Sequence, residues 1–123
     1  MGDSYGNQQE AIELRKEAEA KVNKISEEER RDIIEKASST PNEEAKKTMK
    51  TEEWLIATIL CDRDSLKKME KMPNYVIEQL RDYIRKRVKS DTLTLYDASI
   101  LSHLCKAPWG PFELHDSANK SKL

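Results

Sequence analysis

Glycine and proline are scarce in this sequence, at three and four residues among 123, and phenylalanine occurs once. The glycines Gly2, Gly6 and Gly110 lie far from one another or near the start of the chain, so they form no glycine-rich loop of the kind that binds phosphate. The rest of the composition, with 37% charged and 37% hydrophobic residues, favours helix over strand. We therefore predict an all-α fold.

Long hydrophobic runs and an excess of one charge are also lacking. The most apolar stretch, Trp54 to Cys61, is far shorter than the roughly 18 residues that span a bilayer. No N-terminal stretch combines a basic start with a sustained apolar run, as a secretory signal would. With a formal net charge of −1, the chain lacks the field that attracts nucleic acid or anionic membranes over a distance. We expect a soluble intracellular protein, cytoplasmic or nuclear, with no membrane partner.

Only two cysteines and two histidines are available for thiol or metal chemistry. Cys61 and Cys105 fall within apolar helical patterns, where a cysteine usually acts as a small buried hydrophobe, and this fits a reducing compartment. His103 and Cys105 are two residues apart, so on a helix their side chains point about 200° apart and cannot bind one ion. Together with His115, these residues show no zinc-type or thioredoxin-type spacing. We predict no catalytic residue, no metal and no cofactor.

Apolar residues recur at helical spacing in about five segments, which predicts a compact bundle of short helices. Residues 1–7 have no such spacing and are expected to be a mobile lead-in, and the first helix begins near Gln8. Its apolar face is narrow and rich in alanine, so two interpretations stay open: it packs within the domain or on a second chain. We predict one domain over residues 8–114 and a flexible tail over residues 115–123.

Capping patterns predict where the later helices begin. Ser26, Thr40 and Thr94 are each followed three residues later by an acidic residue, as in a capping box. From Pro41 to about Cys61 the pattern fits one bent helix, which we favour, or two helices with a break capped by Thr51. Ser65 is then expected to cap a separate single turn.

The strongest amphipathic pattern predicts a helix over residues 74–89, and its last turns carry the strongest local charge of the chain. The basic residues concerned are Arg81, Arg85, Lys86, Arg87 and Lys89. Three interpretations stay open: the cations stabilise the helix end through its dipole, or they contact an acidic protein, or they contact nucleic acid. Against nucleic acid, we expect no exposed aromatic residues interleaved with these cations for base stacking.

Trp109 and Phe112 follow the last predicted helix in a short segment that contains two prolines. They either fold back over the bundle or present an aromatic anchor to another protein.

The strongest sequence patterns predict helices, and none of them groups residues that could catalyse a reaction. We therefore predict a non-enzymatic interaction module, an adaptor or a small subunit of a larger assembly. Its contacts would be the five basic residues, Trp109 and Phe112. Its partner would be a protein with an acidic surface or an apolar groove, and a homo-oligomer is compatible with the sequence. The alternative is a nucleic-acid-binding regulator.

Overall fold

The computed structural model describes residues 2–106, 108–110 and 112–113, with side chains from residue 8 onward. Helices account for most of this part of the chain, and it contains no strands, which confirms the predicted all-α class. It contains six helices rather than about five. They are α1 (Gly2–Val22), α2 (Glu27–Ser39), α3 (Asn42–Thr48), α4 (Thr51–Glu70), α5 (Asn74–Lys89) and α6 (Leu95–Leu104).

The additional helix arises because the segment from residue 41 to residue 61 is interrupted. Met49 and Lys50 have extended backbone angles, with ψ of 141° and 151°, so the single bent helix that the sequence favoured is wrong. Lys50 stands at the N-cap of α4 without a side-chain capping bond, and Thr51 is already helical. The residues around Met49 and Lys50 are compatible with a helix, so the sequence did not reveal that these two residues have extended backbone angles.

Beyond residue 61, α4 continues through the region predicted to be a connector. Ser65 was expected to cap a separate turn, but it is buried within α4 and its hydroxyl donates to the Cys61 carbonyl at 2.6 Å. A serine that bonds to the preceding turn of its own helix does not need to interrupt that helix. The helix ends only at Glu70, ahead of Pro73.

Two of the three predicted caps are present. The Ser26 hydroxyl accepts from the Glu29 amide, and Thr94 forms a reciprocal capping box with Asp97 at the start of α6. Thr40 is not the cap of α3, because its hydroxyl donates backwards to the Lys36 carbonyl at 2.7 Å and closes α2 instead. The backbone carbonyl of Thr40 accepts a hydrogen bond from the Leu95 amide at 3.0 Å, which joins the α2–α3 connection to the start of α6.

The centre of the bundle is α4, which packs against α1, α2 and α6. Its buried side chains include Ala57, Ile59, Leu60 and Cys61. α5 packs on α6 at the other side, where Ile77 and Ile84 face the core. The buried residues form three clusters, one between α1, α2 and α4, one around the α3–α6 contact, and one between α4, α5 and α6.

The first helix begins at Gly2, ahead of the expected start near Gln8. It packs within the chain through its C-terminal part, where Ala18 and Val22 are fully buried. Every residue from 8 to 17 is exposed, including Leu14 of the predicted apolar face. The mobility of residues 1–7 stays a prediction.

None of the described helices is both long and apolar enough to cross a membrane. The predicted tail over residues 115–123, the domain end at Leu114 and the second histidine, His115, all lie outside the described residues.

Candidate interaction surfaces

The arginines near the end of α5 make bonds within the chain. The Arg81 side chain is only 11% exposed; it pairs with Glu78 at 2.9 Å and donates to the backbone carbonyls of Trp109 and Gly110. Arg85 pairs with Asp82 at 2.9 Å and donates to the Glu113 carbonyl, also at 2.9 Å. Two guanidinium groups on α5 therefore hold the segment that follows α6.

The residues of that segment, here called the C-terminal segment (108–110 and 112–113), fold back over the bundle. Trp109 and Phe112 pack against the cluster that contains Ile84 and Leu104. The Arg85 guanidinium lies 4.9 Å from the centre of the Phe112 ring, within the range of a cation–π contact. Of the two arrangements left open by the sequence, the structure has the fold-back.

Arg87 is directed at the start of α6 rather than at solvent alone. Its Nε donates to the Asp97 carboxylate at 3.2 Å, and the Tyr83 hydroxyl donates to the same carboxylate at 3.1 Å. Burial and the adjacent Asp97 charge raise the pKa of Tyr83, and the hydrogen bond to Asp97 raises the pKa of Arg87. Asp97, which is 4% exposed and also caps α6, thus joins α5 to α6.

The seven predicted contact residues are therefore in two different situations. Arg81, Arg85, Arg87, Trp109 and Phe112 are engaged within the chain, as the preceding contacts describe. Lys86 and Lys89 are exposed and form no ion pair within the described part of the chain. A role of these seven residues in binding a partner stays a prediction.

The two cysteines differ, although the sequence predicted both to be buried. Cys61 is fully buried in α4, and burial together with the nearby charges of Asp62 and Asp64 raises the pKa of its thiol to about 12. Cys105 is exposed, because α6 ends one residue earlier and leaves it at the C-cap. The pattern of apolar spacing extended one residue beyond the actual helix.

His103 is buried on α6, with 8% of its surface exposed. Its Nε2 lies 2.9 Å from the Asp62 carbonyl oxygen on α4. Among the residues that the structure describes, no three His, Cys, Asp or Glu side chains are grouped so that they could hold a metal ion.

An open groove between α2 and α4 has a predominantly apolar lining. It measures about 230 Å³, and we call it the apolar groove. Charged side chains of Glu29, Lys36 and Glu53 stand among its lining residues. Its apolar lining consists of Ile25, Ile33, Ala37, Met49, Ile56, Ala57 and Leu95.

A second groove of about 270 Å³ lies between the N-terminal part of α2 and the C-terminal part of α4. We call it the basic groove, because four of its eight lining residues are cationic. These are Arg30 and Arg31 on α2 and Arg63 and Lys67 on α4, beside Glu27, Ile34, Leu60 and Asp64. This groove was not predicted from the sequence. The packing of α2 on α4 brings its four cations together, and the spacing of residues within one helix does not predict that packing.

A wider groove of about 420 Å³ lies beneath the C-terminal segment. Met69 and Met72 line it from the end of α4, and His103 and Trp109 line it from the other side. Part of its wall is thus formed by the same segment that Arg81 holds.

Comparison with known proteins adds no family to these observations. No family model matches the chain, and neither a curated protein nor a solved structure was found to match it.

Proposed function

We propose that the chain is a non-enzymatic helical protein–protein interaction module, an adaptor or a small subunit of a larger assembly. In this proposal the apolar groove receives an apolar anchoring side chain of another protein. The observation that carries the proposal is the size and lining of that groove. Its volume of about 230 Å³ is below the roughly 300–1,000 Å³ of small-molecule pockets, but it is large enough for a Leu, Met or Phe side chain.

The arrangement of charges around the groove supports a protein occupant. Ile33, Met49 and Ile56 are only partly buried and offer apolar area, whereas Glu29, Lys36 and Glu53 are exposed next to them. An apolar centre with a charged rim is the usual anatomy of a protein interface, in which the centre contributes most of the affinity. The rim carries both signs of charge, so it favours a partner helix or loop that itself carries mixed charge around one apolar anchor.

The basic end of α5 contributes less to this proposal than the sequence suggested. Its three arginines already bind carboxylates and carbonyls of the chain, and only Lys86 and Lys89 remain available to an acidic partner. The same two lysines are a small patch for the alternative, a nucleic-acid-binding regulator, whose affinity would depend on many phosphate contacts. A reducing compartment, cytoplasmic or nuclear, is proposed with the interaction module.

The proposal is tested by affinity capture with matched variants. The full chain, Met49→Glu and Tyr75→Glu are each immobilised and exposed to extract of the native source, and the retained proteins are identified by mass spectrometry. Both variants exchange an apolar side chain for a charge, but Tyr75 is 68% exposed and lies outside the groove.

We expect a protein that is retained by the full chain and by Tyr75→Glu and that is lost with Met49→Glu, with helicity by circular dichroism unchanged in both. Retention of the same proteins by all three chains, or by none, would contradict the proposal. Retention that falls steeply as the salt concentration rises, and that an added oligonucleotide competes away, would favour the alternative, a nucleic-acid-binding regulator.

A further inference from the structure

We propose that the basic groove binds an acidic segment of a partner protein, with the guanidinium groups of Arg31 and Arg63 and the ammonium group of Lys67 contacting its carboxylates. This inference rests on the proposed function, because it names the chemistry of part of the same partner. It places the acidic contact on α2 and α4 rather than at the end of α5.

The proposal is based on the arginines that have no carboxylate as an ion-pair partner within the described chain. Of the seven arginines, four lie between 2.9 and 3.4 Å from a carboxylate oxygen, and these are Arg15, Arg81, Arg85 and Arg87. The remaining three, Arg30, Arg31 and Arg63, form no ion pair with any described residue, and all three line the basic groove. The arginines that have no carboxylate partner within the described chain are therefore all found in this groove.

Arg30 forms the inner wall of the groove. Its Nη2 donates to the carbonyl of Val22, the last residue of α1, at 3.1 Å, which fixes the side chain. Its Nε is buried and has no hydrogen-bond partner among the described residues. Arg30 is therefore fixed within the wall, and the exposed cations Arg31, Arg63 and Lys67 are the ones that a bound segment can reach.

The acidic residues of the groove, Asp64 and Glu27, form no ion pair with its cations in the described part of the chain. Asp64 accepts from the Tyr96 hydroxyl at 2.5 Å and pairs with Lys68 at 3.0 Å. Although burial opposes ionisation, the hydrogen bonds from Tyr96 and Lys68 and the charges of Lys68 and Lys67 lower the pKa of Asp64. Its charge is therefore compensated mainly by Lys68, which lies outside the groove lining, and to a smaller extent by Lys67. Glu27 stands in the exposed first turn of α2, where an acidic residue stabilises the helix dipole.

The lining favours a peptide over nucleic acid. Ile34 and Leu60 form an apolar part of the lining, and none of the lining residues is aromatic. The groove therefore offers no aromatic ring on which a base could stack. A guanidinium group matches a carboxylate with two parallel bonds, so Arg31 and Arg63 suit the separate carboxylates of Asp and Glu side chains.

The test measures binding of a fluorescein-labelled oligoglutamate peptide to the full chain by fluorescence anisotropy at low salt. The groove variant is Arg31→Glu with Arg63→Glu, two exposed residues, of which only Arg63 makes a side-chain bond, to Asn23 at 3.3 Å. The matched control is Lys86→Glu with Lys89→Glu on α5, which changes the net charge equally. Circular dichroism of both variants checks that they fold.

We expect the groove variant to weaken oligoglutamate binding about tenfold and the control to change it less than about twofold. Equal weakening in both variants would assign the effect to net charge and overturn the proposal, as would absence of binding to the full chain. Tighter, groove-dependent binding of an oligothymidylate probe would assign the groove to nucleic acid instead. The failure of the proposed function is seen separately, because it depends on Met49→Glu and not on these arginines.

Discussion

Burial separates the chemistry of the two thiols. Cys61 is fully buried with a thiol pKa raised to about 12, so it is protonated near neutral pH, whereas Cys105 is exposed at the end of α6. The thiolate is the reactive form. We expect a disulfide reagent to modify one thiol rapidly in the folded chain and the second only on unfolding. Cys105→Ser should abolish the rapid phase, and a rapid phase that persists in this variant would contradict the assignment.

The same burial makes the stability of the fold sensitive to alkaline pH. For a thiol whose pKa rises from 9.0 in the unfolded chain to about 12 in the folded one, the stabilisation is complete below pH 9 and is lost as the pH rises towards 12. We expect the free energy of unfolding by urea, under reducing conditions, to fall by about 1 kcal/mol between pH 8 and pH 10. In Cys61→Ala this fall should be clearly smaller, and an identical fall would show that Cys61 is not its source.

Asp91 is the non-glycine residue with a positive φ in the described chain, at 58°. It follows α5, and the amides of Asp91 and Thr92 donate to the carbonyls of Val88 and Arg87, which is the pattern of a Schellman motif. Because glycine adopts this conformation without steric cost, Asp91→Gly should stabilise the fold by about 0.5–1 kcal/mol in urea unfolding. Asp91→Ala removes the same charge but keeps the Cβ atom, and equal stabilisation by this variant would refute the backbone explanation.

For the helix α5, the local sequence pattern predicted the helix itself but not the contacts of its side chains. Its apolar spacing and bounds were predictable, because Ile77 and Ile84 recur at one face and Ser90 follows the last turn. The partners of its arginines were not, since Trp109 and Glu113 are more than twenty residues away and only packing brings them near. The sequence of basic residues at a helix end does not show whether their side chains are exposed to solvent or bonded to other parts of the chain.

The contact between α5 and the C-terminal segment gives a further prediction. In Arg81→Ala the carbonyls of Trp109 and Gly110 lose their donor, so the segment should detach and expose the Trp109 ring. We expect a red shift of tryptophan fluorescence that is absent when Trp109 is replaced by Phe in the same background. The matched control is Arg15→Ala, whose exposed pair with Glu19 at 3.4 Å touches no tryptophan. A spectrum unchanged in Arg81→Ala would show that apolar packing alone holds the segment.

At the scale of the whole molecule, the sequence predicted the helices better than the surfaces between them. Capping at Ser26 and Thr94 and the all-α class follow from short-range chemistry. Both grooves instead depend on how α2 lies on α4, which no local signal specifies, since the cations of the basic groove come from residues more than thirty positions apart. The basic residues at the end of α5 were adjacent in sequence and therefore easy to find, whereas the arginines without a carboxylate partner, Arg30, Arg31 and Arg63, come from two helices.

We propose that a partner protein binds across α2 and α4, where both grooves lie. The most direct measurement is amide hydrogen exchange of the full chain, free and bound to the protein retained in the capture experiment. We predict that protection increases in residues 25–40 and 53–67, on both sides of the two grooves, and stays unchanged in residues 81–89. Increased protection confined to residues 81–89 would place the interface at the basic end of α5 and contradict binding across α2 and α4.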